Sequence, residues 1–113
     1  MIGIDIESIS RFMNLFKHKN RLLQKMFNAS EWEYSLTKSN PAETLTGIWC
    51  AKEAVLKAMY SHEPIFIKNI TIMHKKSGEP YAHVKSEKYW SGSIKISISH
   101  CNNYATAVAI VLT

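Results

Sequence analysis

The sequence predicts an α+β domain in which helices pack on an antiparallel sheet, because its two halves follow different periodicities. Apolar residues recur at helical spacing through most of the first half, whereas apolar and polar residues alternate in short runs through the second half. A chain of 113 residues has room for one modest core, so we expect residues 1–113 to form a single domain. The hydrophobic content of 46% and the charged content of 20% are typical of a soluble globular protein.

The first seven residues alternate apolar side chains with small or acidic ones, which predicts a strand. Successive side chains of a strand point to opposite faces, so Asp5 and Glu7 should project from one face about 6.6 Å apart. The residues that we expect to face the core are Ile2, Ile4 and Ile6. The two acids either face solvent on an edge strand or bind a divalent cation together with a third oxygen ligand from elsewhere.

Two short helices or one bent helix should follow, up to about residue 27. The formal net charge of +5 is concentrated here, because this segment has five cations and no acid before Glu31: Arg11, Lys17, Lys19, Arg21 and Lys25. Such a basic face is either merely solvated or a docking surface for an acidic partner. We do not expect nucleic acid as the partner, because no exposed aromatic residues are interleaved with the cations as a stacking platform.

A further short helix should begin at Asn28 or Ser30 and end near Lys38. Asn40 followed by Pro41 is the pattern of a helix cap with proline at the first helical position, so it predicts the start of a central helix. This helix should continue to about residue 60 and be enclosed by the fold, because apolar or small side chains cover nearly its whole circumference.

Two charged residues interrupt the apolar surface of the central helix. Glu53 and Lys57 lie one turn apart and share a stripe with Trp49. Such a pair is usually a solvated surface pair, but apolar surroundings require a carboxylate to be paired or metal-bound if it is to remain ionised. Glu53 is therefore the candidate third ligand for a cation at Asp5 and Glu7. Lys52 has either an apolar stem that reaches solvent or a role at this site.

The second half should form a meander of four strands. These strands are predicted at residues 69–75, 81–84, 94–100 and 104–112, with turns at residues 77–80 and at Asn102-Asn103. The five His and two Cys lack the spacing of zinc ligands, and four Gly supply no dinucleotide or P-loop motif. Cys50 on the enclosed helix is interpreted as a small core residue.

The sequence also suggests where the protein is found. Two cysteines without a disulfide framework fit a reducing cytoplasm. We expect no secretory signal, because Asp5 and Glu7 interrupt the place of an apolar core. We expect no membrane span either, because polar residues divide the uncharged run at residues 96–113.

Four motifs together resemble the 4'-phosphopantetheinyl transferases, and in particular the short holo-acyl-carrier-protein synthase branch. They are GIDIE in the first strand, WCAKEAVLKA on the central helix, GEP at the hairpin turn and SISH before the last strand. The resemblance covers essentially the whole chain and implies the 4'-phosphopantetheinyl transferase fold. It implies transfer of the 4'-phosphopantetheine arm of coenzyme A to a serine of an apo acyl carrier protein in fatty acid biosynthesis. It also implies release of adenosine 3',5'-bisphosphate, Mg²⁺ on the pyrophosphate, and a homotrimer with coenzyme A at the subunit interfaces.

The resemblance also implies residue roles. Asp5 and Glu53 match metal ligands, and Glu7 matches a third ligand found in the longer, pseudodimeric branch. Lys57 matches a pyrophosphate contact, and both it and Glu53 would act in catalysis beside Asp5. The residues expected at coenzyme A, besides Lys57, are His100, Gly78, Pro80 and Lys76. Arg11 matches a residue that grips the carrier protein, and the other cations expected at that surface are Lys17, Arg21 and Lys25.

Two positions depart from the family pattern. Glu79 replaces a basic residue of the turn, and Ile48 replaces an arginine before the aromatic residue of the helix motif. Both changes weaken the expected grip on the 3'-phosphate or the partner, although Lys75 and Lys76 are close enough to compensate. An alternative function is therefore a non-catalytic protein that binds coenzyme A or a carrier protein. The sequence leaves open whether Glu53 accepts the serine proton directly or through a water molecule.

Overall fold

The computed structural model of the chain describes residues 1–18, 21–60, 62–85 and 93–112. The elements in chain order are β1 (Ile2–Ser8), α1 (Ile9–Lys17), α2 (Arg21–Met26), α3 (Ala29–Leu36), α4 (Pro41–Met59), a 3-10 turn (Ile67–Asn69), β2 (Ile70–His74), β3 (Pro80–Val84), β4 (Ser93–His100) and β5 (Tyr104–Leu112). The α+β prediction is confirmed. Lys19, one of the five predicted docking cations, lies outside the described residues.

The strands form two antiparallel sheets. In the first, β5 lies between β1 and β4, so the first and last strands of the chain are neighbours. In the second, β2 pairs with β3 across a turn in which Gly78 has a φ of 92°, a conformation that glycine adopts without strain. The four strands of the second half therefore form two hairpins rather than the predicted continuous meander.

Helix α4 is the centre of the core. Asn40 accepts a hydrogen bond from the backbone N–H of Glu43 at 3.2 Å, and Pro41 is the first helical residue, as the sequence predicts. The helix packs against β1 and β5, and residues around its whole circumference are buried, among them Leu45, Ile48, Ala51 and Val55. The prediction of an enclosed helix is confirmed. No helix in the described residues is both long and apolar enough to cross a bilayer.

The prediction of which face of β1 lies on the core is wrong. The three isoleucines expected there are 63–70% exposed: Ile2, Ile4 and Ile6. Gly3 on the opposite face is buried against α4, and a Cβ at this position would overlap the carbonyl oxygen of Ala54. Alternation defines two faces but does not say which of them a helix will cover, and the glycine allows the close approach. Asp5 and Glu7 therefore lie on the helix side of β1.

The uncovered side of the first sheet is largely apolar along β1 and β5, whereas β4 presents exposed polar side chains there: Ser93, Lys95, Ser97 and Ser99. Ile2 of β1 lies opposite Ile110 of β5, and both are exposed. We call this surface the outer sheet face, and its large exposed side chains are Ile2, Ile4, Ile6, Tyr104, Ile110 and Leu112. A contiguous exposed apolar surface of this kind is characteristic of interaction sites.

Candidate metal and phosphate site

Asp5 is the residue of β1 around which the candidate site forms. Nζ of Lys57 donates hydrogen bonds to Oδ1 of Asp5 at 3.2 Å and to the carbonyl oxygen of Ile4 at 3.0 Å. In the part of the chain that the structure describes, Oδ2 of Asp5 is buried and has no hydrogen-bond partner. Leaving a buried carboxylate oxygen without a partner is costly. This oxygen is therefore open to a further ligand.

Glu53 lies one turn of α4 before Lys57, near the same carboxylate. Burial raises the pKa of Glu53, the negative charge of Asp5 raises it further, and the charge of Lys57 partly opposes both. Because the charge of Asp5 acts on Glu53, the two carboxylates repel each other in the absence of a cation. This repulsion and the unpartnered oxygen of Asp5 fit a divalent cation, because Mg²⁺ prefers carboxylate oxygens and would neutralise the repulsion.

Glu7 has a partner of its own. Its Oε2 lies 3.2 Å from Nη1 of Arg11, in the first turn of α1. Across residues 1–18, 21–60, 62–85 and 93–112, no three His, Cys, Asp or Glu side chains form a group that could hold a metal ion. The expected convergence of three acids on one ion is therefore not seen there, and the arginine offers Glu7 a different counter-charge.

Cys50 lies in the protein interior beside the acids. Its Sγ donates a hydrogen bond to the carbonyl oxygen of Ala105 at 3.3 Å. Burial raises the pKa of Cys50 to about 12, with smaller contributions from the charges of Asp5 and Glu7. A thiol with this pKa stays protonated at neutral pH and is a poor nucleophile. The interpretation of Cys50 as a core residue is confirmed.

Three of the residues predicted to contact coenzyme A line one open pocket of about 200 Å³: Gly78, Pro80 and His100. Nε2 of His100 lies 3.5 Å from Oε1 of Glu43, which is in the first turn of α4. The fourth predicted residue, Lys76, is exposed on the turn just before Gly78. The structure therefore brings the GEP turn and the end of β4 to one place.

The sequence analysis missed several side chains that line this pocket, among them Tyr34, Glu43 and His74. The rings of Tyr34 and His74 stack with centroids 3.8 Å apart. Burial lowers the pKa of His74, and the charge of Lys38 lowers it further, which favours the neutral ring near pH 7.

The two positions that depart from the family pattern, Ile48 and Glu79, have different surroundings in the structure. Ile48 is buried in the core and borders the pocket. Its aliphatic side chain offers no charge to a phosphate there. Oε2 of Glu79 lies 3.3 Å from Nζ of Lys75 on the exposed turn. Lys75 was expected to compensate for the negative charge of Glu79, but it forms an ion pair with Glu79 itself. Lys76 therefore remains the candidate for a phosphate contact.

Lys52 has a third role that the sequence analysis did not consider. It is fully buried, and its Nζ donates a hydrogen bond to Oε1 of Glu31 at 2.7 Å. The same carboxylate accepts hydrogen bonds from the backbone N–H groups of Asn28 and Ile72, each at 2.8 Å. Lys52 therefore joins α4 to α3 and β2 inside the protein. The Asn28–Glu31 spacing predicts a capping box, but nothing local identifies Lys52 as its partner.

The basic surface lies on the first two helices. Its described cations are all exposed: Arg11, Lys17, Arg21 and Lys25. Phe12, Leu23 and Met26 on the opposite sides of the same helices are buried in the core. The helices therefore present their cations to solvent, as the sequence predicts.

Comparisons with known proteins agree with this fold. Residues 1–109 match the family model of the 4'-phosphopantetheinyl transferase superfamily. A holo-acyl-carrier-protein synthase of Protochlamydia amoebophila is 36% identical over 96% of this chain and 94% of the relative, and one of Chlamydia caviae is 38% identical over 98% and 95%. The Helicobacter pylori synthase in complex with coenzyme A has a TM-score of 0.81 and 30% identity, over 98% of this chain and 99% of that one.

The chain therefore belongs to the 4'-phosphopantetheinyl transferase superfamily. Within this superfamily it is of the holo-acyl-carrier-protein synthase type, because the relatives of that type match it over nearly their whole length. The resemblance that four short motifs suggested is confirmed, and with it the fold.

Proposed function

We propose that residues 1–113 form one catalytic domain that transfers 4'-phosphopantetheine from coenzyme A to a serine of an apo acyl carrier protein. The observation that carries this proposal is the arrangement of Asp5, Glu53 and Lys57, in which a buried oxygen of Asp5 has no partner among the described residues. The names of the relatives and the coenzyme A complex of the Helicobacter pylori protein support the choice of both substrates.

Asp5 and Glu53 would hold a magnesium ion, with water molecules and pyrophosphate oxygens as its other ligands. Bound there, the ion would stabilise the charge that develops on the leaving phosphate, adenosine 3',5'-bisphosphate. Lys57 would present an ammonium group to the same phosphates. Glu7 would add negative charge rather than a ligand, because it pairs with Arg11.

Glu53 is our candidate for the group that accepts the serine proton. Glu53 would accept this proton either directly or through a water molecule. Lys57, one turn along the helix, would hold the phosphate in line for attack by the serine oxygen. The reaction would thus depend on positioning and charge more than on a protein nucleophile.

Coenzyme A would place its phosphates near His100, Gly78, Pro80 and Lys76. These residues border one pocket, but about 200 Å³ lies below the 300–1,000 Å³ typical of sites that enclose a drug-sized ligand. A second copy of the chain would complete the site. The apolar outer sheet face supports self-association, and we propose the homotrimer. Light scattering should give three times the chain mass, and a monomer at micromolar concentration would contradict this part.

The exposed cations of α1 and α2 would dock an acidic face of the carrier protein: Arg11, Lys17, Arg21 and Lys25. Reversing the charge of Arg21 should raise the KM for the carrier protein about 10-fold, which corresponds to about 1.4 kcal/mol. The KM for coenzyme A should not change, because Arg21 does not line that pocket. We propose no nucleic acid or membrane partner, and a cytoplasmic location that fits the unpaired Cys50 and Cys101.

The decisive experiment is incubation with coenzyme A, Mg²⁺ and several apo carrier proteins, followed by mass spectrometry of the carrier. A gain of one phosphopantetheine group is expected, and it should be lost when EDTA removes the metal. No mass gain with any carrier would contradict the proposal.

The second candidate function is a non-catalytic binder of coenzyme A or a carrier protein. The observation in its favour is the Lys75–Glu79 ion pair, which leaves the departure at Glu79 without compensation from Lys75. Calorimetric binding of coenzyme A, no mass gain, and no effect of Glu53→Gln on that binding would together favour this function.

A further inference from the structure

Lys57 is proposed to contact the phosphates of the substrate, but in the structure it contacts Asp5, the candidate metal ligand. Its ammonium group is 3.2 Å from Oδ1 of Asp5 and also bonds the backbone carbonyl of Ile4. The lysine side chain is 54% exposed and that of Asp5 is 12% exposed. The ammonium can therefore leave this position by side-chain rotation alone, whereas the carboxylate is held inside the site.

An ammonium and a divalent cation cannot both be close neighbours of one carboxylate without repelling each other. The unpartnered Oδ2 of Asp5 gives the cation a place to bind, but Lys57 already neutralises part of the charge that would attract it. The ammonium therefore lowers the affinity of the site for the free cation. Once the ammonium has left Asp5, it is free to contact the phosphates of the substrate.

We infer that Lys57 holds the place of the metal at Asp5, and that loading of the metal displaces its ammonium group and frees it for the pyrophosphate. This inference rests on the proposed function, because it assumes that the metal binds at Asp5 and Glu53. It gives Lys57 two opposite effects: it weakens binding of the cation alone and strengthens engagement of the phosphates. The metal would accordingly bind before Lys57 contacts the phosphates.

Titration of the full chain with Mn²⁺ alone, by calorimetry without coenzyme A or carrier protein, tests the inference. Lys57→Met should bind Mn²⁺ about 10-fold more tightly than the wild type, because the competing charge is gone. Lys57→Arg keeps the charge and should stay within about 3-fold of the wild type. Equal or weaker binding by Lys57→Met, or no binding by either protein, would overturn the inference.

Lys75→Met is the matched control. Lys75 is 57% exposed and also pairs with an acid at 3.3 Å, so the substitution removes the same charge from a similar ion pair away from Asp5. Its Mn²⁺ affinity should stay within about 2-fold of the wild type. A change as large as that of Lys57→Met would show an effect of net charge only, which would also overturn the inference.

Amine labelling gives a second measurement that does not depend on a variant. Acetylation of Lys57, followed by mass spectrometry, should become about 3-fold faster when Mn²⁺ is added, and acetylation of Lys75 should not change. An unaffected rate at Lys57 would contradict displacement. Neither measurement involves transfer, so failure of the mass-gain assay together with tighter Mn²⁺ binding by Lys57→Met would reject the activity and keep the inference.

Discussion

Helix α4 forms two lysine–carboxylate pairs that share their chemistry and differ in their surroundings. Lys52 and Glu31 are fully buried, and both oxygens of the carboxylate accept hydrogen bonds. Lys57 is half exposed, and its partner Asp5 retains a buried oxygen without a partner in the described chain. The first pair is complete within the protein and holds three elements together. The second is incomplete, and this is what makes it suitable for a ligand.

This difference in burial should determine whether a substitution at each pair affects stability or activity. Breaking a buried ion pair leaves an uncompensated charge in the core, whereas breaking a pair near the surface costs little because water replaces the lost partner. We therefore expect substitutions at Lys52 to act on folding and substitutions at Asp5 and Glu53 to act on transfer.

The largest effect is expected from Asp5→Asn. Loss of the carboxylate removes a proposed metal ligand, so the rate of transfer to a carrier protein should fall about 10³-fold or more, equivalent to at least about 4 kcal/mol. The circular dichroism spectrum and melting temperature should stay close to those of the wild type. A rate within about 10-fold of the wild type would show that the incomplete pair is not the reaction centre.

Lys52→Met should be the most destabilising change at either pair. It leaves the Glu31 carboxylate buried without its ammonium partner, and the free energy of unfolding should fall by about 3–5 kcal/mol in urea denaturation. In the double variant Glu31→Gln/Lys52→Met, the total loss should be smaller than the sum of the two single losses. A loss below about 1 kcal/mol for Lys52→Met would mean that the buried pair does not hold the fold.

Glu53→Gln should make the metal-free protein more stable, whereas Lys52→Met makes it less stable. Without metal, removing the repulsion from Asp5 should raise the free energy of unfolding, by less than about 1 kcal/mol because solvent screens the charges. Mg²⁺ should raise the melting temperature of the wild type and not of the variant. If Glu53→Gln lost stability in metal-free buffer, the two carboxylates would not be repelling each other.

The pH dependence of this stability difference has a definite sign. The pKa of Glu53 is raised in the folded state, so the folded chain binds the proton more tightly than the unfolded chain does. The destabilisation is present above the folded-state pKa and disappears as pH falls through it. The difference in stability between Glu53→Gln and the wild type should therefore shrink as pH falls from 7 towards the ordinary pKa of a glutamate.

The smallest effect is expected from Lys75→Met, which breaks the exposed pair with Glu79. Both side chains are more than half exposed, so the free energy of unfolding should change by no more than about 0.5 kcal/mol. Urea denaturation beside Lys52→Met would measure the difference between an exposed and a buried pair. A loss of free energy of unfolding above about 1 kcal/mol would show that solvent exposure does not determine how much each ion pair contributes to stability.

Much of the candidate site could be predicted from local spacing. One turn of helix separates Glu53 from Lys57, and Asp5 lies on the strand face that meets them. Gly78 and His100, which the resemblance assigns to coenzyme A, line one pocket. The partner of Lys52 could not be found in this way, because Glu31 lies 21 residues earlier and reaches it only after α3 packs on α4.

The sequence by itself determined the fold class, the enclosed central helix and the superfamily, because periodicity, capping residues and motif order are properties of neighbours along the chain. Only the tertiary structure decided that the isoleucines of β1 point away from α4 and that Glu31 neutralises Lys52. Alternation and spacing define which side chains share a face. Which face becomes buried, and which charges meet there, depends on the close packing of segments that are distant in the chain.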